Sequence, residues 1–100
     1  MRVENIISDK GNAIANQFVI TNNHTIVFQS YESMIATIDT ENKIILIGVD
    51  YDYSVTTGKY RNIFFRDYVP YELNGLKDLS VLRQAIKKGF YGDYKIETTF

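Results

Sequence analysis

The chain has 100 residues, 45% hydrophobic and 23% charged, with a formal net charge of -1 and no cysteine. That size suits a single domain, 1–100, with one modest core. The composition argues against a disordered chain, a disulfide scaffold, a thiolate metal site and a membrane span, which needs roughly 18–20 apolar residues in a row.

In chain order, Met1 to Asn12 is mostly polar and ends on a Gly11-Asn12 turn signal. It lacks the apolar stretch of a secretory signal, so the expected location is the cytoplasm. From Ile14 the period is two: Ile14, Asn16, Phe18 and Ile20 share one face, and Ala15, Gln17 and Val19 the other. Asn22-Asn23-His24 reads as a tight turn, because asparagine tolerates left-handed backbone, and Thr25–Ser30 completes a hairpin. Met34, Ala36 and Ile38 alternate through a third strand, Thr40–Lys43 supplies a polar turn, and Ile44–Val49 gives a fourth. That fourth run is apolar on both faces and β-branched, which places it centrally in a sheet. Gly48 near its end permits a bulge or the close approach of another backbone.

After Asp52 the period becomes helical. Tyr60, Ile63, Phe64 and Tyr68 recur on one stripe, Thr56 or Thr57 can cap the start, and Val69-Pro70 ends it. Leu76, Leu79, Leu82 and Ile86 form a second stripe, capped by Asn74 or Asp78 and stopped by Lys87-Lys88-Gly89. Tyr94–Phe100 alternates in part and reads as a short edge strand. The expected fold class is α+β: a four-stranded antiparallel meander followed by two helices packed on one face, with a short C-terminal edge strand.

Charge is uneven along this plan. Residues 1–56 carry three Lys/Arg and seven Asp/Glu, and residues 57–100 carry eight and five. Neither half forms the basic stripe of a dedicated nucleic-acid binder.

Catalytic chemistry finds little support. His24 is the one histidine and falls in a turn beside two asparagines, where nothing orients or tunes it. With one His and no Cys, no nucleophilic triad can be built away from that turn. Asp50 and Asp52 share a strand face about 6–7 Å apart, but no DxDxDG-type loop adds the further oxygen ligands of a hard cation. Thr56-Thr57-Gly58-Lys59 lacks the leading glycine and the trailing Ser or Thr of a phosphate loop, although a helix start there attracts anions. No enzyme, no cofactor and no metal are therefore expected. The eight tyrosines point to binding instead, because tyrosine gives a large contact area for little lost entropy. Tyr60 and Tyr68 belong on the core stripe; Tyr71, Tyr91 and Tyr94 fall in loops or tail, where burial is harder to arrange.

Three segments carry a resemblance: Gly11–Phe18 (GNAIANQF), Phe28–Ala36 (FQSYESMIA) and Asp52–Tyr60 (DYSVTTGKY). They resemble signatures of a family of small uncharacterised proteins of phages and mobile elements, over residues 11–66, with a weaker echo at Ala85–Gly89. The resemblance implies a phage product working in the cytoplasm of a bacterial host, and it singles out Gln17, Tyr31, Tyr53, Ser54 and Tyr60. The candidate binding surface is Tyr31, Asp50, Tyr51, Asp52, Tyr53, Ser54, Thr56, Thr57, Lys59, Tyr60 and Arg61. The expected function is a non-catalytic inhibitor of a host defence system, of the anti-CRISPR kind. It would act by contact with a host protein, and the acidic residues Glu32, Asp39, Glu41, Asp50 and Asp52 would occupy a basic groove. Two alternatives stand beside it. One is a nucleic-acid-binding accessory protein using the basic second half. The other is a sponge for a small phosphorylated signal held by Thr56, Thr57 and Lys59 at a homo-oligomer interface.

Overall fold

A computed structural model describes all of Met1–Phe100. Seven strands form one sheet: β1 (Arg2–Ile7), β2 (Ala13–Asn22), β3 (Thr25–Ser30), β4 (Ser33–Asp39), β5 (Ile44–Ile47), β6 (Phe90–Tyr91) and β7 (Tyr94–Thr98). Between β5 and β6 come α1 (Val55–Asp67), a 3-10 helix (Tyr71–Lys77) and α2 (Leu79–Lys88). The spatial order is β1-β2-β3-β4-β5-β7-β6, antiparallel throughout except that β7 runs parallel to β5. The α+β class and the meander are as expected; a sheet of four strands is not.

Two elements account for the difference. The polar opening contains β1, which pairs Val3 with Ile20 and Asn5 with Phe18 and sinks Ile6 fully into the core. Its Arg2 and Glu4 mask the pattern, as charges on an edge strand commonly do. At the other end, Tyr94–Thr98 is no edge. A two-residue turn at Gly92-Asp93 folds β6 onto it, and the pair docks with β7 inside, so that Ile45 faces Ile96. Tyr94, expected in the tail, is buried as a result.

Both helices and the 3-10 helix cover one face of the sheet, as a parallel β5–β7 crossover favours. Val19, Phe28, Ala36, Ile38, Ile45, Ile47 and Ile96 meet Ile63, Phe64, Phe65, Leu73, Leu76, Leu82 and Ala85 there, with the Phe28 and Phe64 rings stacked at 5.5 Å. In β2 the buried set is Gln17 and Val19, not the richer-looking Phe18 and Ile20, which stay half-buried on the opposite face.

The helix boundaries follow local chemistry. Pro70 does stop α1, but it also opens the 3-10 helix, so Leu76 belongs there and not on the α2 stripe. Asn74 caps no start; its Nδ2 donates to the carbonyls of Phe65 (2.8 Å) and Arg66 (3.2 Å), satisfying the end of α1. Asp78 is the cap of α2, accepting from the Ser80 amide at 2.9 Å, and Gly89 closes it in left-handed backbone at φ 85°.

Candidate functional site

The site is made where β5 leaves the sheet. Strand β5 stops at Ile47, and Gly48 donates its amide to the Ile35 carbonyl at 2.9 Å. A Cβ at Gly48 would collide with the Met34 carbonyl, so only glycine lets the chains approach this closely. Opposite it, β4 carries a bulge: Phe28 pairs with Ala36 but Gln29 pairs with Met34, leaving Ile35 as the extra residue. The β3–β4 turn is sharp, with Tyr31 in left-handed backbone at φ 55° and its amide donating to Asn16 at 2.7 Å.

Asp50 to Ser54 then lead into α1. Its cap is Ser54, neither Thr56 nor Thr57; the Ser54 hydroxyl accepts from the Thr57 amide at 3.1 Å and lies 3.2 Å from the Thr57 hydroxyl. The turn and this loop enclose a cleft of about 500 Å³ lined by Ser30, Tyr31, Ser33, Ile35, Asp50, Tyr53, Ser54, Thr56 and Thr57. Ile35 supplies an apolar floor, five serines and threonines line the walls, and Tyr31 and Tyr53 are 62% and 79% exposed.

The expected surface divides in two. Tyr31, Asp50, Tyr53, Ser54, Thr56 and Thr57 converge on the cleft. Tyr51, Asp52 and Arg61 instead form a clamp around a buried guanidinium on the other flank of the loop, with Asp52 itself exposed. Arg61 is only 2% exposed; it donates to the Tyr51 carbonyl at 2.7 Å, to Asp52 at 3.4 Å and to Asn62 at 3.1 Å. Burial lowers its pKa from the usual arginine value, and the bond to Asp52 partly restores it. Asp52 also binds Arg83, whose pKa rises beside Tyr51 and Asp52. The Tyr51 ring stacks on Phe100 at 6.0 Å. Lys59 and Tyr60 stay outside the cleft, with the Lys59 ammonium 5.6 Å from the Tyr60 ring.

Two expected groupings are not brought together. Asp50 and Asp52 sit on a turn rather than a strand, so their side chains serve different neighbours. Nor do the five acidic residues form one face. Asp39 and Glu41 lie at the β4–β5 turn, where Asp39 accepts from the amides of Glu41 and Asn42 at 3.0 Å, at the far end of β4 from the cleft. His24 is at that far end too, 3.6 Å from Glu41 and well exposed.

The cleft residues Ser30, Ser33 and Ile35 lie outside the expected surface, although the segment Phe28–Ala36 contains all three. Gln17 lies outside that surface too. Paired with Ser30 across β2–β3, Gln17 is 1% exposed and its Oε1 has no hydrogen-bond partner. The available signal is a polar side chain on the same strand face as Val19, which is buried in the core.

In class, this is a small two-layer α+β protein with one polar, tyrosine-rimmed cleft at an end of its sheet. The model of a family of unknown function, DUF8033, matches residues 1–79, and the chain belongs to that family. No curated protein and no solved structure matches it. No helix is long and apolar enough to cross a membrane.

Proposed function

We propose that the protein is a non-catalytic binding module that presents this cleft to a protein partner. The observation that carries the reading is the pair of strongly exposed tyrosines, Tyr31 and Tyr53, fixed by a bulge and a helix cap at the mouth of the cleft. Exposed aromatics on a rigid frame are the usual anchors of protein interfaces, since little entropy is lost when they are covered. The resemblance to small proteins of phages and mobile elements supports a cytoplasmic host protein as the partner. An inhibitor of a host defence system is the first function to try.

The basic second half gives less support to nucleic acid. Arg61 is buried, Arg66 is tied to Asp9 (2.7 Å) and Asp67 (2.8 Å), and Arg83 is tied to Asp52. All three arginines of that half are ion-paired within the chain, which leaves its free positive charge to the exposed lysines Lys59, Lys77, Lys87 and Lys88 and removes the guanidinium groups best suited to a phosphate backbone. The phosphate-sponge reading loses its convergence, because Thr57 is occupied with the cap while Lys59 lines a different groove.

A photo-crosslinking residue placed at position 53, in cells of the host, tests the proposal against the same residue at position 24. A discrete protein adduct from position 53 and none from position 24 is expected. Equal labelling from both, or none from 53, overturns the reading.

A further inference from the structure

We infer that the cleft receives an arginine side chain of the protein partner, with Asp50 as its counter-charge and Tyr31 and Tyr53 against its planar face. This rests on the binding reading above and names the chemistry that the site selects.

Of the nine residues lining the cleft, Asp50 alone is charged. It is half-buried, no Lys, Arg or His of the chain forms an ion pair with it, and its only side-chain partner is the Ser33 hydroxyl, which donates to Oδ2 at 2.9 Å. The neighbouring carboxylate two residues on shows what the chain does with an acid it needs internally: Asp52 holds two arginines. Asp50 therefore has no competing cation within the chain, and a docking guanidinium would supply the charge-assisted hydrogen bonds that the chain leaves open.

The dipole of α1 pushes the other way, but with less force. A helix start carries about half a positive charge, and here the Ser54 hydroxyl already takes the Thr57 amide at 3.1 Å. The full charge of Asp50 therefore decides the sign, and an anionic ligand would have to face it directly.

Hydrogen-bonding capacity agrees. Asp50 Oδ1 has no partner in the chain. A guanidinium offers five donors and no acceptor, and it stacks on tyrosine faces more readily than an ammonium does.

The test is a titration of the labelled protein, followed by amide NMR, with acetyl-Gly-Arg-Gly-amide and its isosteric citrulline counterpart. The arginine peptide should shift the amides of Tyr31, Ser33, Ser54 and Thr57 and bind at least fivefold more tightly than the citrulline peptide. Asp50→Asn, which keeps the shape and can still accept from Ser33, should erase that difference. Equal binding of the two peptides, shifts away from the cleft, or an unchanged preference in Asp50→Asn would sink the inference. Crosslinking from position 53 separates the two failures. If the partner adduct persists while arginine shows no preference, the cleft is the interface but its chemistry is not cationic. If the adduct is absent as well, the binding reading falls with it.

Discussion

The two flanks of the β5–α1 loop hold one carboxylate each and treat them in opposite ways. On the inner flank Asp52, itself exposed, pairs with both Arg61 and Arg83, and the Tyr51 carbonyl accepts from an Arg61 guanidinium that water barely reaches. On the outer flank Asp50 keeps one hydroxyl partner and faces an open cleft. One carboxylate is committed to holding the loop, and the other is held in place by it. The difference teaches that acidic residues two positions apart need not form one site once the backbone turns between them: Tyr51 donates its amide to Gly48, and Tyr53 donates to Asp50, both at 3.1 Å.

The largest expected effect comes from the position that sets both flanks. Gly48→Ala drives a methyl into the Met34 carbonyl, a backbone atom that cannot step aside without breaking the β4–β5 approach. A loss of about 3 kcal/mol in urea unfolding is expected, at the upper end of overpacking costs. A loss below about 1 kcal/mol would show that the bulge at Ile35 yields easily and that the cleft is not rigid.

Asp52→Ala should come next. Removing one partner of a buried pair leaves the other charge without its counter-ion, which costs 3–5 kcal/mol when both are fully buried. Asp52 is 30% exposed and Arg61 keeps its bonds to Tyr51 and Asn62, so about 2 kcal/mol is the expected loss. The Arg83 arm, solvent-exposed, should contribute little of this. If Arg83→Ala were as costly as Asp52→Ala, the clamp would be a surface network and the buried arginine incidental.

Ser54→Ala touches both flanks, because Ser54 starts α1 and lines the cleft. Loss of an N-cap costs about 1 kcal/mol. Ser54→Thr or Ser54→Asp should restore most of it, whereas recovery by glycine alone would mean that backbone freedom and not the hydroxyl matters.

How much of this arrangement the chain displays on inspection depends on whether the deciding interaction is local. The β2–β3 hairpin, the Asp78 cap, the Gly89 stop and the close approach at Gly48 are set by a few adjacent residues and are legible. Strand β1 is hidden because its charged residues make an edge strand look like a tail; β7 is legible as a strand, but its place inside the sheet is not, because its partner β5 lies about fifty residues earlier. The cleft is legible in part: Tyr31, Tyr53 and Ser54 stand out as residue types, but their meeting depends on the Ile35 bulge, a register shift no alternation pattern reveals. Arg61 misleads most. An arginine in the middle of a helix reads as surface charge, and only the folded loop shows it fully buried and paired.

The smallest expected effect on stability is also the one that defines the comparison. Asp50→Asn removes a charge that no cation of the chain balances, while its amide oxygen can still accept from Ser33. Urea unfolding should therefore differ from wild type by no more than about 0.5 kcal/mol, as at other sites outside a paired or buried network. The same isosteric change on the inner flank, Asp52→Asn, removes the counter-charge of a buried guanidinium and should cost at least twice as much. If both substitutions prove equally mild, Asp52 carries no more structural weight than Asp50. If Asp50→Asn is the costlier, Asp50 is compensating the start of α1 rather than waiting for a ligand.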